Sequence, residues 1–456
     1  MKAKPFEISK KVVLEAWKEV KANRGAAGVD KKSIADFEKD LKNNLYKIWN
    51  RMSSGSYFPP PVRTVGIPKK SGGERLLGIP TVADRVAQTV AKRYLEPLVE
   101  PYFHKDSYGY RPGKSAIQAV GVTRKRCWRY DWVLEFDIKG LFDNINHDLL
   151  IRAVRKHTNC KWMLLYIDRW LKAPFQGEDG TLVQREKGTP QGGVISPLLA
   201  NLVLHYVFDK WIERNYSQVP FCRYADDGVV YCRSEAEALR LRENLEARFG
   251  KYNLELHPEK TKIVYCKDDT RRDEYPNTSF DFLGFTFRPR RSKNRWGKYF
   301  INFTPAVSNK AAKVMRQKAR RWKIHLRSDK SLDDLSRMLD PIIRGWISYY
   351  GSFYKSALYP ILRHLNRILV RWAMRKFKRF RRHRKRAEYW LGEIAQRQPW
   401  LFPHWQIGVK PMAGRWVPGE LRGSRRARRG RRGGVPLRYS PRRLFRKRAR
   451  SQSIRR

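Results

Sequence analysis

The sequence predicts an α+β fold, in which an antiparallel sheet with flanking helices is followed by an α-helical region and a basic tail. Three observations carry this. Phe221-Cys222-Arg223-Tyr224-Ala225-Asp226-Asp227-Gly228-Val229-Val230-Tyr231-Cys232 reads as two short apolar strands around an Asp-Asp-Gly turn, because Asp-Gly is a strong hairpin signal. Val133-Leu134-Glu135-Phe136-Asp137-Ile138 reads as a strand that runs into a looser turn over 139–142. After Pro305 the composition shifts to long helices loaded with Lys and Arg.

In chain order, residues 1 to about 55 read as helical, with Val12, Val13, Ala16, Trp17 and Val20 on one face. The glycine-rich loop 23–30 follows, and on spacing alone it is compatible with an ordinary helix connector. Ile67-Pro68-Lys69-Lys70-Ser71-Gly72-Gly73-Glu74-Arg75-Leu76-Leu77-Gly78-Ile79-Pro80 reads as a hairpin with a Gly-Gly turn. In 107–115, Gly and Pro stop a strand and start a helix at Ala116. Beyond Pro305, Trp346, Tyr349, Tyr350 and Phe353 fall at helical spacing, as do Ile361, Leu365, Ile368, Leu369 and Trp372 on the next helix, and such stripes normally face a core. Arg363, Arg367, Arg371 and Arg375 recur every four residues on the opposite face. Like charges at that spacing weaken an isolated helix, so an anionic partner is expected along it. From about 405 the chain changes again, and 421–456 holds many arginines and no acidic residue, a composition that buries little.

The chemistry concentrates at the hairpin tip. Asp226 and Asp227 sit there, and Asp137 stands beside them if the two strands are neighbours. Carboxylates held so close need a counterion, and magnesium takes carboxylate oxygens readily. Two such ions could activate a 3′-hydroxyl and stabilise a departing pyrophosphate. The tripeptide Asp-Asp-Gly alone would more often be only a turn.

Composition agrees with a polyanionic partner. The 456 residues carry 98 Lys plus Arg against 43 Asp plus Glu, a formal charge of +55, which draws in nucleic acid and makes binding salt-dependent. A structural RNA binder would show the same balance, but 41% hydrophobic residues are enough for a sizeable core. Five cysteines lie at 127, 160, 222, 232 and 266 with no Cys-x-x-Cys pair, and they are read as reduced thiols, although Cys222 and Cys232 could face each other across the hairpin. No apolar run reaches membrane-span length, and 1–8 resembles neither a signal nor a transit peptide. A cytoplasmic protein without membrane association is expected, most simply a bacterial one.

The order of the motifs resembles the reverse transcriptases encoded by group II introns over most of the chain. Phe136-Asp137-Ile138-Lys139-Gly140-Leu141-Phe142-Asp143-Asn144-Ile145 is similar to the first palm motif of that family, Tyr224-Ala225-Asp226-Asp227 to its catalytic tetrad, and Gly188-Thr189-Pro190-Gln191-Gly192-Gly193-Val194-Ile195-Ser196-Pro197-Leu198-Leu199-Ala200-Asn201 to its template and nucleotide contact motif. The resemblance implies a right-hand polymerase: an N-terminal extension (1–55), fingers (56–125), palm (126–304), a helical thumb or maturase domain (305–404) and an Arg-rich nucleic-acid-binding tail (405–456). It implies Asp137, Asp226 and Asp227 as catalytic metal ligands with the Ile138 carbonyl, holding two Mg2+ ions for which Mn2+ can substitute. Phe142 falls at an aromatic steric gate against a 2′-hydroxyl, Pro190 and Gln191 line the nucleotide, and Lys69 and Arg75 match triphosphate contacts, where the alternative is a solvated basic loop. Residues 282–285 resemble the last palm motif, near the primer end, and 343–351 the maturase thumb.

The implied partners are deoxynucleoside triphosphates, an RNA template with a DNA primer, the intron RNA and target DNA. Arg24, Gly25, Arg63, Arg363, Arg367, Arg371 and Arg375 are candidate nucleic-acid contacts, and loop 23–30 resembles the family's N-terminal motif over the template as well as a plain connector. With no cysteine after Cys266, the zinc-supported HNH nuclease of many relatives is not expected, and a mobile intron would then need another priming strand. Three functions fit: a reverse transcriptase that is also a maturase promoting splicing and retrohoming, a splicing cofactor with a vestigial polymerase, and a domesticated enzyme of defence or repair. The oligomeric state, monomer or dimer, is left open.

Overall fold

The computed structural model describes residues 4–68 and 74–413. Three amphipathic helices, α1 (Lys10–Asn23), α2 (Ile34–Lys39) and α3 (Leu41–Ser54), open the chain. Val13, Ala16, Trp17 and Val20 are buried as their spacing predicts, and the Trp17 ring stacks on Phe37 at 5.0 Å. Strands β1 (Val62–Pro68) and β2 (Glu74–Ile79) form the expected hairpin, with Arg63 opposite Ile79 and Ile67 opposite Arg75. Its Gly72-Gly73 turn and Lys69 lie outside the described residues. Helix α4 (Val82–Val99) follows, and α5 (Ala116–Cys127) starts where 107–115 predicts because Ser115 and Gln118 cap it reciprocally.

The central sheet is built from β3 (Trp132–Asp137) and, after a run of connecting elements, three further strands. The connection comprises α6 (Leu141–Asn144), α7 (His147–Arg155), α8 (Lys161–Lys172), β4 (Phe175–Gln176), β5 (Leu182–Val183), α9 (Ser196–Leu204) and α10 (Lys210–Asn215). Then come β6 (Phe221–Tyr224), β7 (Asp227–Cys232), α11 (Glu235–Gly250) and β8 (Lys262–Tyr265). The order is β6-β7-β3-β8, antiparallel throughout. Alternation splits the strands between two cores: Leu134, Phe136 and Val230 pack with α9 and α11, while Val133, Val229 and Tyr231 pack with α5 and the next sheet. Cys222 pairs with Val229 and Cys232 with Trp132, so these two thiols do not oppose each other, and all five cysteines are free.

A third sheet, β9 (Phe280–Phe282), β10 (Phe285–Lys293) and β11 (Tyr299–Val307), is ordered β11-β10-β9. β11 runs through Pro305, which pairs with Phe287, so the helical region begins only at Asn309, capped by Ser308. That region holds α12 (Asn309–Arg321), α13 (Leu332–Tyr350), α14 (Tyr359–Lys376), α15 (Arg384–Arg397) and α16 (Pro403–Gln406). Ile361, Leu365, Ile368, Leu369 and Trp372 are core. The other stripe is different: Trp346, Tyr349, Tyr350 and Phe353 are only half-buried, because they form a seam in which Trp346 joins the helical core and the other three rings pack on the sheet around Phe285.

The expected change of character at 405 falls too early. Trp405 and Val409 are buried in the helical core, where Asn366 Nδ2 donates to the Val409 carbonyl (3.0 Å) and Trp405 Nε1 donates to Asn366 Oδ1 (2.9 Å). The Arg-rich segment 421–456 lies outside the described residues.

Candidate active site

Asp137 ends β3 and Asp227 begins β7, and the two are direct partners across the strands. Asp226 precedes Asp227 at the hairpin tip, so all three predicted carboxylates come to one end of the sheet. The turn itself is not Asp-Asp-Gly. Tyr224 pairs with Asp227 and Arg223 with Gly228, which leaves Ala225-Asp226 as the two turn residues, with Ala225 at φ +57°. Gly228 is required for another reason: a Cβ there would lie 2.1 Å from the Phe136 ring, which crosses the strand at that point.

The strained tip is held from beneath. The Arg223 side chain is wholly buried and donates from Nε and Nη2 to the two oxygens of buried Asp209 (2.8 and 2.7 Å). Its Nη1 donates to Asn201 Oδ1 and to the Ala225 carbonyl, both at 3.0 Å. Asn201 Nδ2 in turn donates to the Gly109 carbonyl (2.6 Å), and Gly109 sits so close that a Cβ would approach the Ala225 nitrogen to 2.4 Å. Asp209 closes a π-helical turn, His205–Asp209, between α9 and α10.

Beside the carboxylates lies a cavity of about 500 Å3 lined by Glu135, Asp137, Asp227, Lys260, Asp281 and Lys310 among others. Burial, reinforced by Asp226 and Asp137, pushes Asp227 up to about 7. Glu135, two residues before Asp137 and therefore on the same face of β3, is pushed up to about 8 by burial and by Asp281. The Lys260 ammonium pairs with Asp137 Oδ2. Glu135 and Lys260 were not singled out from the sequence, although an acidic residue in an otherwise apolar strand was a signal for the first. Among the described residues no three His, Cys, Asp or Glu side chains are drawn together tightly enough to hold a metal ion. The carboxylates are neighbours, with Lys260 paired to one of them, and not a closed cage.

The other predicted residues are placed as follows. Phe142 is buried at the start of the segment after β3, and its carbonyl accepts from Thr189 N–H (2.7 Å), which ties the first motif to the Thr189-Pro190-Gln191 loop. That loop also meets β2: Gly78 N–H donates to the Gln191 carbonyl (2.7 Å), a Cβ on Gly78 would touch Pro190 at 3.2 Å, and Gln191 Nε2 donates to Asp143 (3.2 Å). Ile138 lies where β3 leaves the sheet, opposite Leu256. Arg75 is on β2 and Lys69 is outside the described residues. Arg24 and Gly25 are exposed, and their loop is pinned to α4 by Arg85, whose Nη2 donates to the Ala26 carbonyl (2.5 Å). Arg63 is half-buried, and its Nε has no partner among the described residues. Arg363, Arg367, Arg371 and Arg375 are all exposed on α14.

Residues 67–287 match the family described as reverse transcriptase (RNA-dependent DNA polymerase), and 312–390 match the group II intron, maturase-specific domain. The chain is 32% identical to Protein YkfC of Escherichia coli over 323 residues, 62% of this chain and 81% of that protein. It is 36% identical over 200 residues to the group II intron-encoded protein LtrA of Lactococcus lactis, 43% of this chain and 33% of LtrA. Over 249 residues it is 28% identical to the putative COX1/OXI3 intron 1 protein of Saccharomyces cerevisiae, 54% of this chain and 29% of that one. The first match defines the class of enzyme, an RNA-directed DNA polymerase. With the second, the chain belongs to the reverse transcriptase and maturase family of group II introns.

Reverse transcriptase domains use divalent metals such as magnesium. Asp137 and Asp227, paired across the strands with Asp226 next in sequence, offer oxygen donors of the kind such an ion takes, without forming a closed cage, and Asp227, raised by burial and then by Asp226 and Asp137, is a carboxyl whose ionised form a cation favours.

Proposed function

We propose that this chain copies RNA into DNA by two-metal nucleotidyl transfer at Asp137, Asp226 and Asp227, and that it serves a group II intron as a maturase, promoting splicing and copying the intron during retrohoming. The observation that carries the reading is the direct pairing of Asp137 with Asp227 beneath a tip that presents Asp226. Those three carboxylates, with the Ile138 carbonyl, would hold the ions. Bound magnesium supplies Lewis acidity at the primer 3′-hydroxyl and positive charge at the leaving pyrophosphate.

The remaining roles belong to the chain itself. Lys69 and Arg75 bind the triphosphate, the first as a point charge and the second as a planar fork. Phe142 packs against the deoxyribose and excludes a 2′-hydroxyl, and Pro190 and Gln191 line the nucleotide and templating base. In this reading 56–125 is the fingers, the palm extends from 126 to 307, and the thumb or maturase region begins at 308 and includes Trp405 and Val409. The exposed arginine row of α14, with Arg24, Gly25 and Arg63, contacts nucleic acid, chiefly its phosphates. The partners are the RNA template with its DNA primer, deoxynucleotides, the intron RNA and target DNA.

Primer extension on an RNA template with magnesium and deoxynucleotides tests the polymerase. Asp226→Ala with Asp227→Ala is expected to lower incorporation at least about 100-fold while RNA binding persists. Incorporation surviving the double substitution would overturn the site, and absent incorporation by RNA-binding wild-type protein would leave a splicing cofactor.

A further inference from the structure

The body of the protein holds the β10–β11 ribbon as far as the Arg291–Ile301 pair, where the Tyr354 hydroxyl donates to the Arg291 carbonyl (3.1 Å) and Asp269 N–H to the Ile301 carbonyl (3.3 Å), and the tip stands beyond it. Opposed residues of an antiparallel pair share a face, so the face that carries Phe285, Phe287 and Phe303 into the core carries Arg291, Lys293, Tyr299 and Ile301 beyond it. Eight residue steps separate Phe285 from Lys293, which puts the tip about 26 Å from the base of the ribbon. There Trp296 is 74% exposed, Tyr299 54% and Ile301 45%. The Arg295 guanidinium lies 4.1 Å from the Trp296 ring and that of Arg291 3.9 Å from Tyr299.

The tip is organised by one side chain. Asn294 Oδ1 accepts from the Trp296 and Lys298 N–H groups (3.0 and 2.9 Å), and Gly297 supplies φ +84°. Residues 285–307 contain six Lys or Arg and no acid. Among the described residues Arg288, Arg291, Lys293, Arg295 and Lys298 form no ion pair, whereas Arg290 turns inward onto the Thr304 and Thr286 carbonyls. Edge strands carry cations to deter aggregation, which accounts for the charges. It does not account for a tryptophan held out at the apex with arginine against it.

We propose that this tip is a docking surface for unpaired nucleotides of an RNA. Trp296 stacks on a base, and Arg291, Lys293, Arg295 and Lys298 neutralise the flanking phosphates. A flat ring gains by stacking only on a base that is not already stacked in a helix, so the ribbon suits a loop or single strand and not the primer–template duplex. RNA is the source because the ribbon leads through Ser308 directly into α12 and the maturase-specific region. The inference rests on the RNA-binding half of the proposed function and is independent of polymer synthesis.

The test uses the full chain with an RNA hairpin bearing an unpaired loop, substituted with 5-iodouridine, and a fully paired RNA of equal length. Photocrosslinks are expected in the peptide containing 294–301. Trp296→Ala is expected to weaken loop binding about fivefold or more, with most of the loss restored by Trp296→Phe and duplex binding unchanged. Arg291→Gln with Lys293→Gln and Arg295→Gln should lower the salt slope of loop binding by about 2. Crosslinks confined to other peptides, undiminished loop binding by Trp296→Ala, or an equal loss on the duplex would overturn the proposal. Primer extension on a short hybrid should remain at the wild-type level in the Trp296 variants, so that failure here is distinct from failure of the polymerase reading.

Discussion

Asp227 carries the electrostatic cost of the site. Its carboxyl, ordinarily near 3.8, is pushed up to about 7 by burial and by its two acidic neighbours. The folded chain therefore keeps a proton that the unfolded chain has lost, so the associated stability is fully present below about pH 4 and is lost as pH rises through about 7. In metal-free protein Asp227→Asn is expected to melt with wild type near pH 4 and above it at pH 8, and thermal scans across that range check the sign. Lys260 offsets the same crowding from the Asp137 side. Because its ammonium competes with any ion for Asp137, Lys260→Gln should tighten Mn2+ binding about two- to fivefold, measurable by calorimetry whether or not the variant polymerises. The three aspartates were legible in the sequence because each sits in a recognisable motif. Lys260 was not, since it arrives from a loop 123 residues after Asp137, and only the fold brings the two together.

At the scale of the element, the β6–β7 hairpin depends on one buried ion pair. Arg223 and Asp209 are both inaccessible to water, and removing one partner of such a pair leaves an uncompensated charge. Arg223→Met is expected to cost about 3–5 kcal/mol of stability. Arg223→Met combined with Asp209→Leu should recover most of it, yet still incorporate poorly, because the Ala225 carbonyl loses its anchor at φ +57°. Melting temperature and primer extension on the same preparations separate the two effects. The strands of this hairpin were legible from their apolar runs, but the position of the turn was not. Asp227-Gly228 has the composition of a tight turn, and what moves the turn back by two residues is non-local: the Phe136 ring claims the space over Gly228, and Gly109 claims the space against Ala225. The seam residues Tyr349, Tyr350 and Phe353 are half-buried against the sheet for a related reason, since helical spacing reports that a face is covered but not whether a helix or a sheet covers it.

Over the whole molecule, the charge of +55 is spread unevenly enough to be tested by region. Neutralising Arg363, Arg367, Arg371 and Arg375 to Gln should leave the melting temperature nearly unchanged, because all four are exposed, and should lower the salt slope of RNA binding by about 3. An unchanged slope would remove α14 from the RNA contacts. The succession of sheet and helical regions was legible from the apolar runs and from the shift in composition after them, whereas the end of the helical region was not, because Trp405 and Val409 find their partners on α14, about 40 residues back. One of the places where the helical region meets the sheet is the turn after β9. Leu283 and Gly284 both hold positive φ, Tyr349 Oη donates to the Leu283 carbonyl (2.9 Å), Tyr350 stands 3.0 Å from where a Gly284 Cβ would be, and Ser308 N–H donates to the Gly284 carbonyl (3.0 Å). Phe282, next to that turn, lines the cavity beside the carboxylates. The turn that receives Tyr349 of α13 and Ser308 before α12 therefore adjoins the wall of that cavity, so one short segment, 282–284, borders both the helical region and the carboxylates.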